Sequence, residues 1–96
     1  MDEAIQTFAS VWDALEETTE AAANMRLRSK LANAIRNAVE GWQLTQVQSA
    51  ARLGVTQPRL NDMLRGRLER FSLDALVGLA DRAGLAVRLE ILKSAA

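Results

Sequence analysis

The sequence predicts an all-α fold with one short C-terminal strand, and three observations predict it. Apolar residues recur at helical spacing along most of the chain. Short stretches open on Thr or Ser and close near glycine. Only residues 85–92, LAVRLEIL, alternate with period two. At 96 residues and 49% apolar content, the chain can fill one small core but not two.

Ile5, Phe8, Trp12 and Leu15 predict a short amphipathic helix in the head, with Ser10 available as a cap before VWDALEE. A longer helix is expected from Thr18 or Thr19 to about Glu40. Its inner side would be Leu27, Leu31, Ala34, Ile35, Ala38, Val39 and Trp42, and Gly41 lies where it ends. In LTQVQSAARLG, Thr45 can cap and Gln48 can reach back to the Thr45 amide; Val47, Ala50 and Ala51 form a narrow inner face, and Gly54 turns the chain.

The next segment, VTQPRLNDMLRG, has Pro58 near its front. With Thr56 as N-cap, the proline falls in the first turn, where an amide has no intrahelical partner to lose. Leu60, Met63 and Leu64 point inward. After the linker RLER, Ser72 caps FSLDALVGLADRAG. Phe71 and Leu76 sit at staple positions, Leu73, Leu76, Val77, Ala80 and Ala83 form the buried stripe, and Gly84 ends the helix. In LAVRLEIL, alternation puts Leu85, Val87, Leu89 and Ile91 on one face. A lone strand needs a partner, and the same strand of a second copy across a two-fold axis supplies one, which predicts a homodimer; a C-terminal helix extension is the alternative.

Net charge is zero, but it is divided. Residues 1–25 carry six acids and no Lys or Arg, so residues 26–96 hold six acids against all twelve bases, a head of −6 on a body of +6. That division suits an anion-binding body and an acidic arm with another partner. With no Cys and no His, thiolate and imidazole chemistry is absent. Asp62, Asp74 and Asp81 lack companion catalytic groups, so neither an enzyme nor a cofactor is expected. The N-terminus MDEAIQTF has no basic n-region, and no apolar run reaches the ~20 residues of a membrane span, so a cytoplasmic protein with no membrane partner is expected.

Gln46, Ala50, Gly54, Leu60 and Met63 have the relative spacing of a helix-turn-helix. The stretch LTQVQSAARLGVTQPRLNDMLRGRLERFSLDALVGLADRAGL resembles the XRE/Cro-type helix-turn-helix proteins, in particular the HigA-like antitoxin subgroup. SVWDALEE and NMRLRSKLANAI are similar to that subgroup as well. The predicted organisation is an acidic helical arm (1–25), an XRE-type helix-turn-helix body (26–84) and a dimerisation strand with tail (85–96).

On this reading Gln57, Pro58, Arg59, Asn61 and Asp62 face the bases of a palindromic duplex: amides pair with adenine, guanidinium with guanine, and Pro58 meets a thymine methyl. Asp62 could accept from cytosine, restrain Arg59 or Arg65, or repel a wrong site. Phosphate contacts are expected from Gln46, Thr56, Arg65 and Arg67, with Arg70 a further candidate. Trp12, Phe8 and Trp42 follow the apolar periodicity and are expected in the core. The resemblance implies a repressor that autoregulates its operon and neutralises a basic ribonuclease toxin. A stand-alone regulator and a protein-interaction module are the alternatives.

Overall fold

The computed structural model describes residues 2–94, with residues 2–18 described by backbone alone. It contains four α-helices: α1 (Asp2–Trp42), α2 (Gln46–Leu53), α3 (Gln57–Leu64) and α4 (Leu73–Arg82), with a 3-10 turn at Leu68–Arg70 between α3 and α4. The two helices expected upstream are one. α1 passes through Ser10, Thr18 and Thr19 without a break, because none of these residues is followed by a chain reversal that would require a cap. The apolar stripe expected at Ile5, Phe8, Trp12 and Leu15 lies outside the described side chains.

One core joins all four helices. Ala32, Ile35 and Val39 of α1 meet Ala50 and Leu53 of α2, Leu60 and Met63 of α3, and Leu76, Leu79 and Ala80 of α4, with Leu68 and Phe71 between. The expected inner faces differ in three places. On α1, Leu27 is half exposed and Ala34 exposed, while Ala32 is buried; on α2, Val47 is 61% exposed and Ala51 exposed, while Ser49 and Leu53 are inside; on α4, Val77 is exposed and Leu79 is buried. In a helix of eight residues, an apolar side chain on the wrong side shifts the apparent stripe by a full residue.

Three helix ends share one device. Val55 N–H reaches Ala50 O and Gly54 N–H reaches Ala51 O; Arg67 reaches Asp62 and Gly66 reaches Met63; Leu85 reaches Ala80 and Gly84 reaches Asp81. Each pair is the 6→1 and 5→2 closure of a Schellman turn. It requires a left-handed residue, here Gly54 at φ 70°, which makes the turn between α2 and α3. At the end of α1 the left-handed residue is Gln43 (φ 54°), and Gly41 sits inside the last turn. Nothing lies within 4 Å of a Cβ placed at Gly41. Gly41→Ala should therefore stabilise the fold by about 1 kcal/mol and raise the melting temperature by roughly 4–8 °C; an unchanged or lower melting temperature would contradict this placement.

The C-terminal strand does not form within the single chain. Residues 85–94 have no regular secondary structure, and helix α4 does not continue into them, because Gly84 (φ 81°) has closed it. A strand requires a neighbour for its amides and carbonyls, and no other described segment provides one. Leu85 is held by its bond to Ala80 and packs on the core, whereas Leu89 and Ile91 are 82% and 84% exposed.

Candidate nucleic-acid interface

The sequence makes α3 a short, tightly capped helix. The Thr56 hydroxyl accepts from Arg59 N–H at 3.2 Å, and Pro58 occupies the first turn. α2 begins with the reciprocal box: Gln48 N–H donates to Thr45 Oγ1 at 3.1 Å, and Thr45 N–H donates to Gln48 Oε1 at 3.0 Å. These caps set the fronts of both helices side by side. Gln57 Nε2 donates to Gln46 Oε1 at 3.2 Å, so the leading residues of α2 and α3 are joined directly.

The residues expected at the site differ in exposure and in what already holds them. Gln57, Pro58, Thr56 and Arg65 are exposed, and Asn61 and Gln46 are half-buried. Arg59 is engaged: its guanidinium carbon stands 3.8 Å from the centroid of the Phe71 ring, and its Nη1 donates to Arg70 O at 2.8 Å. A planar cation on an aromatic face loses side-chain freedom before any ligand arrives.

Asp62 is the centre of an ion network, and its partners are Arg67 and Arg70 rather than Arg59 or Arg65. Its Oδ1 accepts from Nη1 of Arg67 and Nη1 of Arg70, each at 3.1 Å, and Oδ2 accepts from Arg70 at 3.1 Å. Burial pushes the Asp62 carboxyl up, but the hydrogen bonds and charges of Arg70 and then Arg67 outweigh it and hold the group below its ordinary value. Its folded value is depressed, so the network's contribution is complete above the ordinary carboxylate range. It is lost progressively as pH falls from that range down through the lowered value.

Three arginines counted as part of the basic body serve another purpose. Arg36 of α1 donates to Leu64 O at 3.0 Å and Met63 O at 3.5 Å, closing the end of α3. Arg28 donates to Leu68 O at 3.0 Å and Phe71 O at 3.2 Å, and Arg82 to Leu53 O at 3.3 Å. Each neutralises the partial negative charge of helix or turn carbonyls. The only sequence signal for this role is position: Arg28 and Arg36 stand one helical turn from the core residue Ala32. Trp42, expected in the core, packs at its margin with the Arg52 guanidinium 4.0 Å from its ring.

Among the described residues no group of His, Cys, Asp and Glu is arranged to hold a metal ion, and no helix is long and apolar enough to cross a membrane. A family model described as a helix-turn-helix domain matches residues 14–92. No curated protein matches the chain. Among solved structures, one described as an XRE-family transcriptional regulator is similar at 29% identity and a TM-score of 0.72, over 78% of this chain and 84% of that one.

Proposed function

The chain belongs to the helix-turn-helix domain family, and from that premise we infer that it is a sequence-specific DNA-binding repressor acting as a homodimer. One observation carries the reading. The polar front of α3 is exposed and tied to the front of α2 through Gln57 and Gln46, the arrangement in which one helix enters the major groove while the other meets the backbone. Gln57, Arg59 and Asn61 read base edges, Pro58 meets a thymine methyl, and Gln46, Thr56, Arg65 and Arg67 meet phosphates. The similarity to an XRE-family regulator supports the same reading.

The exposed apolar side chains of residues 87–92 support the dimer. In a two-fold pair each copy supplies the missing strand neighbour of the other, and the two α3 helices read half-sites about 34 Å apart. The finer reading is an antitoxin that autoregulates its operon and neutralises a ribonuclease toxin, which the −6 head favours because it suits a basic partner. Co-expression with the neighbouring reading frame tests it: a small basic protein should copurify, and deletion of residues 1–25 should release it.

The test of the recognition face is Gln57→Ala combined with Arg59→Ala. Affinity for a duplex enriched by the wild-type protein from a random library should fall about ten- to a hundredfold, since a good bidentate contact contributes about 1–3 kcal/mol of discrimination. Binding that survives the pair unchanged would show that α3 does not read the bases. With about six to ten phosphates neutralised per dimer, log affinity against log salt should have a slope of roughly −5 to −9.

A further inference from the structure

We propose that Asp62 is a specificity-determining residue: by holding Arg67 and Arg70 it withholds two guanidinium groups from the phosphates of non-cognate DNA. The inference rests on the DNA-binding reading above. Asp62 lies on α3 with its side chain 18% exposed, and Arg67 and Arg70 are 41% and 54% exposed beside it. The three groups together carry +1, where the two arginines alone would carry +2. Their backbones are fixed as well. Arg67 N–H is bound to Asp62 O at 3.0 Å, Arg70 N–H to Arg67 O at 3.2 Å, and Arg70 O to the Arg59 guanidinium at 2.8 Å.

A phosphate approaching this edge must therefore compete with a carboxylate that already accepts three hydrogen bonds. On an arbitrary duplex the exchange leaves Asp62 uncompensated beside a polyanion. On a duplex that presents a cytosine amino group to α3, Asp62 can accept from it while the arginines pass to the backbone. The same carboxylate thus costs more on the wrong site than on the right one, and discrimination is the difference between the two costs.

Asp62→Asn keeps the shape and removes the charge. The measurement is fluorescence anisotropy over a salt series, on calf-thymus duplex fragments and on a duplex enriched by the wild-type protein from a random library. Affinity for calf-thymus fragments should rise about three- to tenfold at 0.1 M salt, with a salt slope steeper by about one. Affinity for the enriched duplex should rise less, so their ratio falls. In an Arg67→Gln, Arg70→Gln background, Asp62→Asn should produce a smaller rise, because no guanidinium is left for it to release. That double variant alone should weaken on both duplexes, and more on the enriched duplex than on calf-thymus fragments. An unchanged ratio, a weaker non-specific affinity in Asp62→Asn, an undiminished rise in the Arg67→Gln, Arg70→Gln background, or a double-variant loss on calf-thymus fragments as large as on the enriched duplex would each overturn the proposal while leaving DNA binding intact. Failure of the wild-type protein to retain either duplex would overturn the DNA reading, and this inference with it.

Discussion

Replacing Leu89 and Ile91 together by lysine should convert the protein to a monomer without lowering the melting temperature of the helical body. Both side chains are more than four-fifths exposed in the single chain, so they contribute little to its own core. Leu85, Val87 and Leu89 line an apolar groove of about 400 Å³ together with Leu31, Leu73 and Val77. Burying a Leu or Ile side chain fully contributes about 1.5–3 kcal/mol, and a symmetric interface buries each of the two residues twice, roughly 6–12 kcal/mol in all before ordering costs. A micromolar dimer requires about 8 kcal/mol. These two positions are therefore a large fraction of what association requires.

Loss of the dimer separates the two recognition helices, and a half-site bound alone forfeits the effective concentration that the partner supplies. Affinity for a palindromic duplex should drop on the order of a hundredfold or more. Analytical ultracentrifugation at micromolar protein gives the first readout and duplex titration the second. A wild-type protein that sediments as a monomer, or a double lysine variant that remains a dimer, would refute pairing through this segment.

Much of the helix-turn-helix was legible because its determinants are local. Thr45, Thr56 and Ser72 cap where their hydroxyls were expected to, Gln48 returns to the Thr45 amide, and Gly54 makes the left-handed turn. Leu60, Met63, Leu76 and Ala80 lie inside as their spacing implied. What was not legible is long-range. A carbonyl cap such as Arg36 on Leu64 joins residues 28 positions apart, and periodicity carries no information about such a pair. The role of Asp62 was open for the same reason: its arginines come from the turn after α3, whose path depends on Gly66 and the 3-10 turn that follows. At the end of α1, the glycine rule pointed to Gly41, but the left-handed residue is Gln43, at a cost that a glycine there would not incur.

Phe71→Ala should destabilise the fold by about 3–5 kcal/mol, the range for emptying a buried aromatic site. A chain of this size has roughly 5–14 kcal/mol in total, so the substitution should remove from about a fifth to all of it, read as a large drop in the melting temperature. Phe71 is 1% exposed and joins α1, α3 and the 3-10 turn. Its N–H closes the 3-10 turn on Leu68 O at 3.1 Å, its carbonyl accepts from Arg28 at 3.2 Å, and its ring carries the Arg59 guanidinium at 3.8 Å. Phe71→Leu separates these roles. Most of the buried volume is kept, so the loss of stability should stay near 1.5 kcal/mol, but the aromatic face under Arg59 is gone. If Arg59 depends on that face to be set in place for a base, Phe71→Leu should weaken duplex binding several-fold at a temperature where it is fully folded. In an Arg59→Ala background the same substitution should have no effect on binding. Equal losses in both backgrounds would show that Phe71 supports the fold alone and that Arg59 does not rely on its ring.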